Sequence, residues 1–193
     1  KKIYFLFIAL CFFASTKAQI VNIPDANFKA KLLAASSSNT TAKDLAGNYF
    51  KIDINNNGEI EQSEALNVYT LDVSNCLISS IEGIKSFKNI ETINCEQNNI
   101  SSLNLSSNRS IGQLICNNNL LTSLDVRGLD WIFEINCNSN KITSLYINNN
   151  STDTISFSDN PNLALICLDA SEKDDIEVLI NLYGYINCVV RTN

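Results

Sequence analysis

The chain has no histidine and no methionine, and its 193 residues include only two prolines, six glycines and one tryptophan. Without histidine, the Ser–His and Cys–His pairs that activate a nucleophile at neutral pH are ruled out, as is any mixed Cys/His metal site. Basic residues are scarce: 14 Lys and Arg stand against 20 Asp and Glu, a net charge of −6. Nucleic acid and anionic membranes are bound through clustered positive charge, so neither is expected as a partner. No apolar run reaches the roughly 20 residues of a membrane-spanning helix. The longest, Ile3 to Ala14, belongs to a stretch with a secretory signal's layout.

In that stretch Lys1 and Lys2 precede the apolar run, and Thr16-Lys17-Ala18 leads to Gln19 with a small residue at the expected cleavage point. Residues 1–18 are therefore read as a signal peptide, and the missing methionine means that the natural first residue is absent. Cys11 lacks the small-residue context of a lipid acceptor. Removing residues 1–18 leaves 11 basic and 20 acidic residues, a net charge of −9. The remaining 175 residues suit a single domain.

From Val68 to about Asn160 one pattern recurs. An apolar residue is followed by others three and five further on, Asn or Cys at eight, and an apolar residue at ten. Ile90, Ile93, Cys95, Asn98 and Ile100 make one copy; Ile111, Leu114, Cys116, Asn119 and Leu121 the next; Ile132, Ile135, Cys137, Asn140 and Ile142 the third. The period is 21 residues, with an earlier copy (Val68, Leu71, Val73, Cys76, Ile78) 22 residues upstream and a weaker one (Ile155, Phe157, Asn160) after it. A fixed period of this length signals a solenoid, in which each coil buries its apolar face against its neighbours. In Ile93-Asn94-Cys95 the first and third side chains point inward and the second outward, as in a short strand. Asn98, Asn119, Asn140 and Asn160 then form a column whose amides satisfy backbone groups left unpaired at the turn. The return half of the first coil (Ile78, Ile81, Ile84, Phe87, Ile90) is apolar every third residue, which suits 3₁₀-like turns. Leu103-Asn104-Leu105, Leu124-Asp125-Val126 and Leu145-Tyr146-Ile147, again 21 apart, read as strands of an opposite wall.

Residues 19–67 read as an N-terminal cap. Pro24-Asp25 with Phe28, Leu32 and Leu33 marks a short amphipathic helix with an acidic first turn. Residues 36–41 are a polar loop, and 42–50 are expected to be helical with Leu45 and Phe50 inward. Residues 53–64, DINNNGEIEQSE, fit the twelve-residue EF-hand calcium loop. Asp53, Asn55 and Asn57 offer side-chain oxygens, Glu59 its backbone carbonyl, Glu61 a direct or water-mediated contact, and Glu64 both carboxylate oxygens. Gly58 permits the sharp turn and Ile60 anchors the loop to the core. An Asn-Gly turn without metal is the alternative. Two neutral amides among the early ligands imply weak binding, on the order of 10⁻⁴ to 10⁻³ M.

The first coil's spacing resembles the 22-residue repeats of internalin-type proteins. IPDANFKAKLL, DINNNGEIEQSEAL, LDVSN and NPNLALICLD together resemble secreted bacterial leucine-rich repeat proteins. That resemblance implies surface or secreted binding modules. The expected fold is mostly β with short helices: a leucine-rich repeat solenoid of parallel strands over residues 68–168, with a helical N-terminal cap. A C-terminal cap over 169–193 would hold a helix from about Ser171 to Gly184, started by a capping-box-like Ser171–Asp174, and a last strand from Tyr185 to Val190.

Cys95, Cys116 and Cys137 are expected to be reduced, buried packing residues, and Cys167 and Cys188 are open to pairing or not. The candidate binding surface is the outward strand face: Asp72, Asn94, Glu96, Gln113, Asn117, Glu134, Asn136 and Asn138, with Trp131, Phe133 and Tyr146 as exposed aromatics. A protein or glycan ligand at a cell surface, bound by a monomer, is the first function class. The second is a polysaccharide-active or glycan-binding parallel β-helix; its carboxylates Glu96 and Glu134 lie two coils apart in different columns, a poor match to a catalytic pair. No enzymatic activity is therefore expected.

Overall fold

The computed structural model describes residues 19–151 and 154–192. The expected signal peptide lies outside the described residues. The first helix, α1 (Ala26–Leu33), begins where Asp25 caps it, its carboxylate accepting the Phe28 N–H at 2.9 Å. The same carboxylate accepts from Ser79 (2.8 Å) and Ser80 (3.1 Å), which ties the helix to the first repeat. Burial works against that charge, but the N–H groups of Phe28, Ser79, Ser80 and Asn27 outweigh it and hold the carboxyl below its ordinary range. Phe28 and Leu32 are fully buried. No acid lies in the helix's first turn; the acidic residue is the cap itself.

The expected helix over 42–50 is absent. Ala42–Lys43 forms strand β1, antiparallel to β2 (Thr70–Asp72), and the chain turns back over Asp44–Asn48 so that Tyr49 bridges to Lys43. Turn chemistry overrides the helical pattern. Asp44 accepts the Asn48 N–H at 2.9 Å and Gly47 takes φ +81°, a left-handed conformation that favours glycine. The open edge of β2 supplies backbone partners that an isolated helix would lack. Leu45, expected inward, is 70% exposed, and Phe50 is half-buried. A short helix, α2 (Gln62–Ala65), follows the acidic loop.

Next come β3 (Thr92–Asn94), β4 (Gln113–Ile115), β5 (Ser123–Asp125), β6 (Glu134–Asn136), β7 (Ser144–Tyr146), β8 (Thr154–Ser156), β9 (Leu165–Leu168), α3 (Lys173–Tyr183) and β10 (Val189–Thr192). Two sheets result, with orders β1-β2-β3-β4-β6-β8 and β10-β9-β7-β5. All pairings except β1–β2 are parallel, and register follows the repeat: Leu71, Ile93, Leu114, Ile135 and Ile155 stand opposite one another, all buried. Between the sheets lies one continuous core, including Phe87, Phe157 and the inward cysteines.

Leu103-Asn104-Leu105 is not a strand, and the second sheet starts with β5. The preceding repeat returns through a 3₁₀ turn at Ile84–Ser86, as its spacing predicts, and residues 103–105 make no ladder with β5, which is the edge of the second sheet. β9 pairs with β7 at the same 21-residue spacing, within the expected limits of 68–168. Ser171 does not cap α3; a 3₁₀ turn, Ala170–Glu172, leads into it, and Gly184 ends it at φ +77°. The last strand is displaced to Val189–Thr192.

The C-terminal end is held by aromatics. Phe157, Tyr183 and Tyr185 rings lie 5.2–6.1 Å apart, and the Tyr185 hydroxyl donates to the Phe157 carbonyl (2.9 Å) while accepting the Asn160 N–H (3.0 Å). Tyr185→Phe keeps the ring but strands the Asn160 N–H, while the Phe157 carbonyl keeps the Asn160 side-chain amide (3.0 Å). It should cost about 1–3 kcal/mol, read as a lower urea midpoint with an unchanged m-value.

Candidate functional site

Residues 53–64 fold as a tight loop whose oxygens converge. Asp53 accepts from the Asn57 N–H (3.1 Å) and the Gly58 N–H (3.3 Å). The Asn55 side chain accepts from Asn57 N–H (2.9 Å), and that of Asn57 from Glu59 N–H (2.8 Å). These contacts hold alternate side chains on the inside of the turn. The Glu59 side chain points away and pairs with Lys29 at 2.7 Å, leaving only its carbonyl for the loop. Glu61 and Glu64 are both buried, at 3% and 5% exposure.

Glu64 already serves the fold. One carboxylate oxygen accepts from Ile54 N–H (2.8 Å) and Asn55 N–H (3.4 Å), the other from Glu61 N–H (3.0 Å). Burial, and then the neighbouring Glu61 side chain, raise its carboxyl above the ordinary range. Glu61 is held below that range by Glu64 and by the Asn55 and Asn57 amides, which both donate to one of its oxygens. Its other oxygen is buried without a partner. Two adjacent buried carboxylates, one with an orphaned oxygen, form a site short of positive charge. Among the described residues no group of three or more His, Cys, Asp and Glu is placed to hold a metal, and the Asn55 and Asn57 amide nitrogens face Glu61.

The Asn column is a ladder between repeats. Asn98 donates to the carbonyls of Val73, Cys95 and Glu96 and accepts from Cys76 and Ile78 N–H. Asn119 donates to Cys95 (2.9 Å), Cys116 (3.1 Å) and Asn117 (3.3 Å) and accepts from Ile100 N–H (3.0 Å). Asn140 and Asn160 repeat the arrangement. Each amide thus binds its own strand exit and the repeat before it. Asn108 does a similar job on the return side, donating to Ile84 and Phe87 carbonyls while fully buried. Sequence reading missed it, since it has no counterpart 21 residues away.

Cys95, Cys116 and Cys137 are free and fully buried. Burial pushes the Cys95 and Cys137 thiols up to about 12 and raises Cys116 as well. Cys167 and Cys188 are half-buried and unpaired; register sets Arg191, not Cys188, opposite Cys167. Thiol-specific reagent on native protein should leave the three ladder cysteines unmodified until denaturant is added. Folded thiols that keep their protons to about pH 12, against an ordinary 9.0, contribute stability below pH 9 that is lost as pH rises towards 12. Urea midpoints at successive alkaline pH values check this.

The outward face of the first sheet brings the predicted surface residues together, half-buried in register, with Asn117 buried. Gln113 donates to Glu134 (2.6 Å), Asn117 to Glu96 (3.1 Å), and Ser156 to Asn138 (2.8 Å). Asp72, Asn94 and Asn136 each accept an N–H two residues on, from Ser74, Glu96 and Asn138, so part of their polar capacity is spent on strand exits. Trp131 (76%) and Phe133 (59%) are exposed. Tyr146 is half-buried under the Arg127 guanidinium, 4.8 Å from its ring centre.

No family model and no curated protein matches the chain. Solved structures do. The functional domain of InlJ from Listeria monocytogenes, described as including a cysteine ladder, superposes with a TM-score of 0.51 at 25% identity over 79% of this chain. The internalin InlF from the same species gives 0.48 at 18% over 81%. This chain spans only 34% of the InlJ chain and 53% of the InlF chain. Among the described residues no helix is long and apolar enough to cross a membrane. Parallel strands at a 20–22-residue spacing, few short helices and the likeness to InlJ establish an internalin-like leucine-rich repeat fold.

Proposed function

We propose that the chain is a secreted or cell-surface binding module. It is a leucine-rich repeat solenoid with a helical cap over 19–67, and it uses the outward face of its first sheet to take a protein ligand. The observation that carries this reading is the fixed polar array of Gln113–Glu134, Asn117–Glu96 and Ser156–Asn138 on adjacent parallel strands and their exits. Side chains already held by one another lose little freedom on binding. The chain's lack of histidine weighs against an enzyme. It works as a monomer and needs no nucleic acid or membrane.

Calcium braces the cap in this reading. Asp53, Asn55, Asn57, the Glu59 carbonyl, Glu61 and Glu64 are an all-oxygen set of the kind calcium takes. The orphaned Glu61 oxygen and the adjacent Glu64 carboxylate are what a cation would neutralise. Bound there, the ion would supply charge balance and a link between the loop and α2. Asn55 and Asn57 would have to turn oxygen rather than nitrogen inward.

Capture from the producing cells' surroundings tests the surface. Gln113→Arg should abolish retention of a protein captured by wild type, while Ser123→Arg on the second sheet should not. Equal capture by both variants, or retention of oligosaccharides alone on a glycan array, overturns the protein-ligand reading.

A further inference from the structure

The residues before β2, β3, β4 and β6 form a column of their own: Tyr69, Glu91, Gly112 and Phe133. Their backbones run in a ladder, Glu91 N–H to Tyr69, Gly112 N–H to Glu91 and Phe133 N–H to Gly112, each at 2.8 Å. Gly112 needs no positive φ. It matters for space: a Cβ there would lie 2.7 Å from the exposed Phe133 ring, which would have to shift. The missing side chain opens a notch in the column, with Phe133 leaning in from one side and Glu91 bounding the other. Trp131, Thr92 and Ser110 complete the groove.

Two large exposed rings and one carboxylate are a combination that selects for positive charge. A cation over an aromatic face is attracted by the ring quadrupole, and an adjacent carboxylate adds a direct partner. Glu91 is the single charged residue lining the groove. Arg109 and Asp130 each stand one residue outside it in sequence, on Ser110 and Trp131, and offset one another. Asp72, Glu96 and Glu134 on the adjoining face add acid, and the outward positions of the five parallel strands carry no Lys or Arg.

We propose that this groove receives an Arg or Lys side chain of the protein ligand, seated against Trp131 and Phe133 with its charge towards Glu91. The proposal rests on the sheet-face reading and deepens it by naming the chemistry at one end of that face. The neutral sheet centre would then orient the ligand, and the groove would select its basic residue.

Trp131 is the chain's one tryptophan, so its fluorescence reports on the groove directly. Acetylated and amidated tetra-arginine, tetra-glutamate and an N-acetylglucosamine tetramer are the probes. Tetra-arginine at millimolar concentration should shift the emission saturably, and added sodium chloride should weaken the effect. Glu91→Gln should weaken it about two- to fivefold, Phe133→Ala should weaken it similarly, and Glu177→Gln on α3 should leave it unchanged. Circular dichroism confirms that each variant is folded. No saturable shift with tetra-arginine, an equal shift with tetra-glutamate or the saccharide, or equal weakening by Glu177→Gln overturns the proposal. Those results with Gln113-dependent capture intact remove the cation groove alone; loss of that capture removes the sheet-face reading as well.

Discussion

Asn119→Ala should destabilise the fold by about 3 kcal/mol, a larger loss than any surface substitution is expected to cause. The side chain is 6% exposed and makes four hydrogen bonds, three donated to carbonyls and one accepted from Ile100. Two of its partners, Cys95 and Ile100, belong to the preceding repeat, so alanine unties neighbouring repeats as well as one turn. Water has no ready way in, because Cys95, Ile100, Cys116 and Leu121 around the site are fully buried. The residue before each ladder asparagine adds a geometric reason for the amide. Gln97, Asn118, Ser139 and Asp159 all take φ between 53° and 55°, a left-handed kink that turns the strand exit's backbone groups inward. At roughly 2–4 °C per kcal/mol for a chain of this size, the melting temperature should fall by about 6–12 °C. Asn99→Ala, at an exposed position on the equivalent turn of the preceding repeat, should change it by no more than about 2 °C. Equal effects from the two would contradict a load shared between repeats through the amides.

The repeats were legible because their inward positions are set by a local rule, strand alternation plus a fixed return length, which the sequence writes out several times. Elements that depend on a distant partner were not. Ala42–Lys43 becomes a strand only because β2 offers an open edge, and Leu103–Leu105 stays outside the second sheet, between the 3₁₀ return of the first repeat and the edge strand β5. The acidic loop could be read by residue type, but not the direction of its amides or the second role of Glu64, which anchors three backbone N–H groups. The surface positions were placed correctly on one face. Their internal bonding was hidden, although the spacing of Asn94 to Glu96 and Asn136 to Asn138 is that of a side chain accepting from the backbone two residues on. Gly112 carried its own signal: a glycine in a column otherwise held by Tyr69, Glu91 and Phe133.

The double role of Glu64 changes which substitution separates metal binding from folding. Glu64→Gln exchanges a carboxylate oxygen for an amide group facing backbone donors, so it should lower stability even without calcium. Glu61→Gln is the cleaner probe. It keeps a carbonyl oxygen for the Asn55 and Asn57 amides and touches none of the three backbone N–H groups that Glu64 anchors, but it gives up the stabilisation that holds the Glu61 carboxyl below its ordinary range. The same change removes a ligand charge that calcium would use. Metal-free Glu61→Gln should therefore melt slightly below wild type, and lose the response to calcium.

The measurement that tests the calcium-braced module most directly is calorimetric melting of wild type and Glu61→Gln in 1 mM calcium and in chelator. With a dissociation constant near 0.1 mM, calcium should stabilise wild type by about 1.4 kcal/mol, a rise of about 3–6 °C. Glu61→Gln should show little or none of that rise above its own metal-free baseline. Identical wild-type melts in calcium and chelator would mean that residues 53–64 are a hydrogen-bonded turn and nothing more.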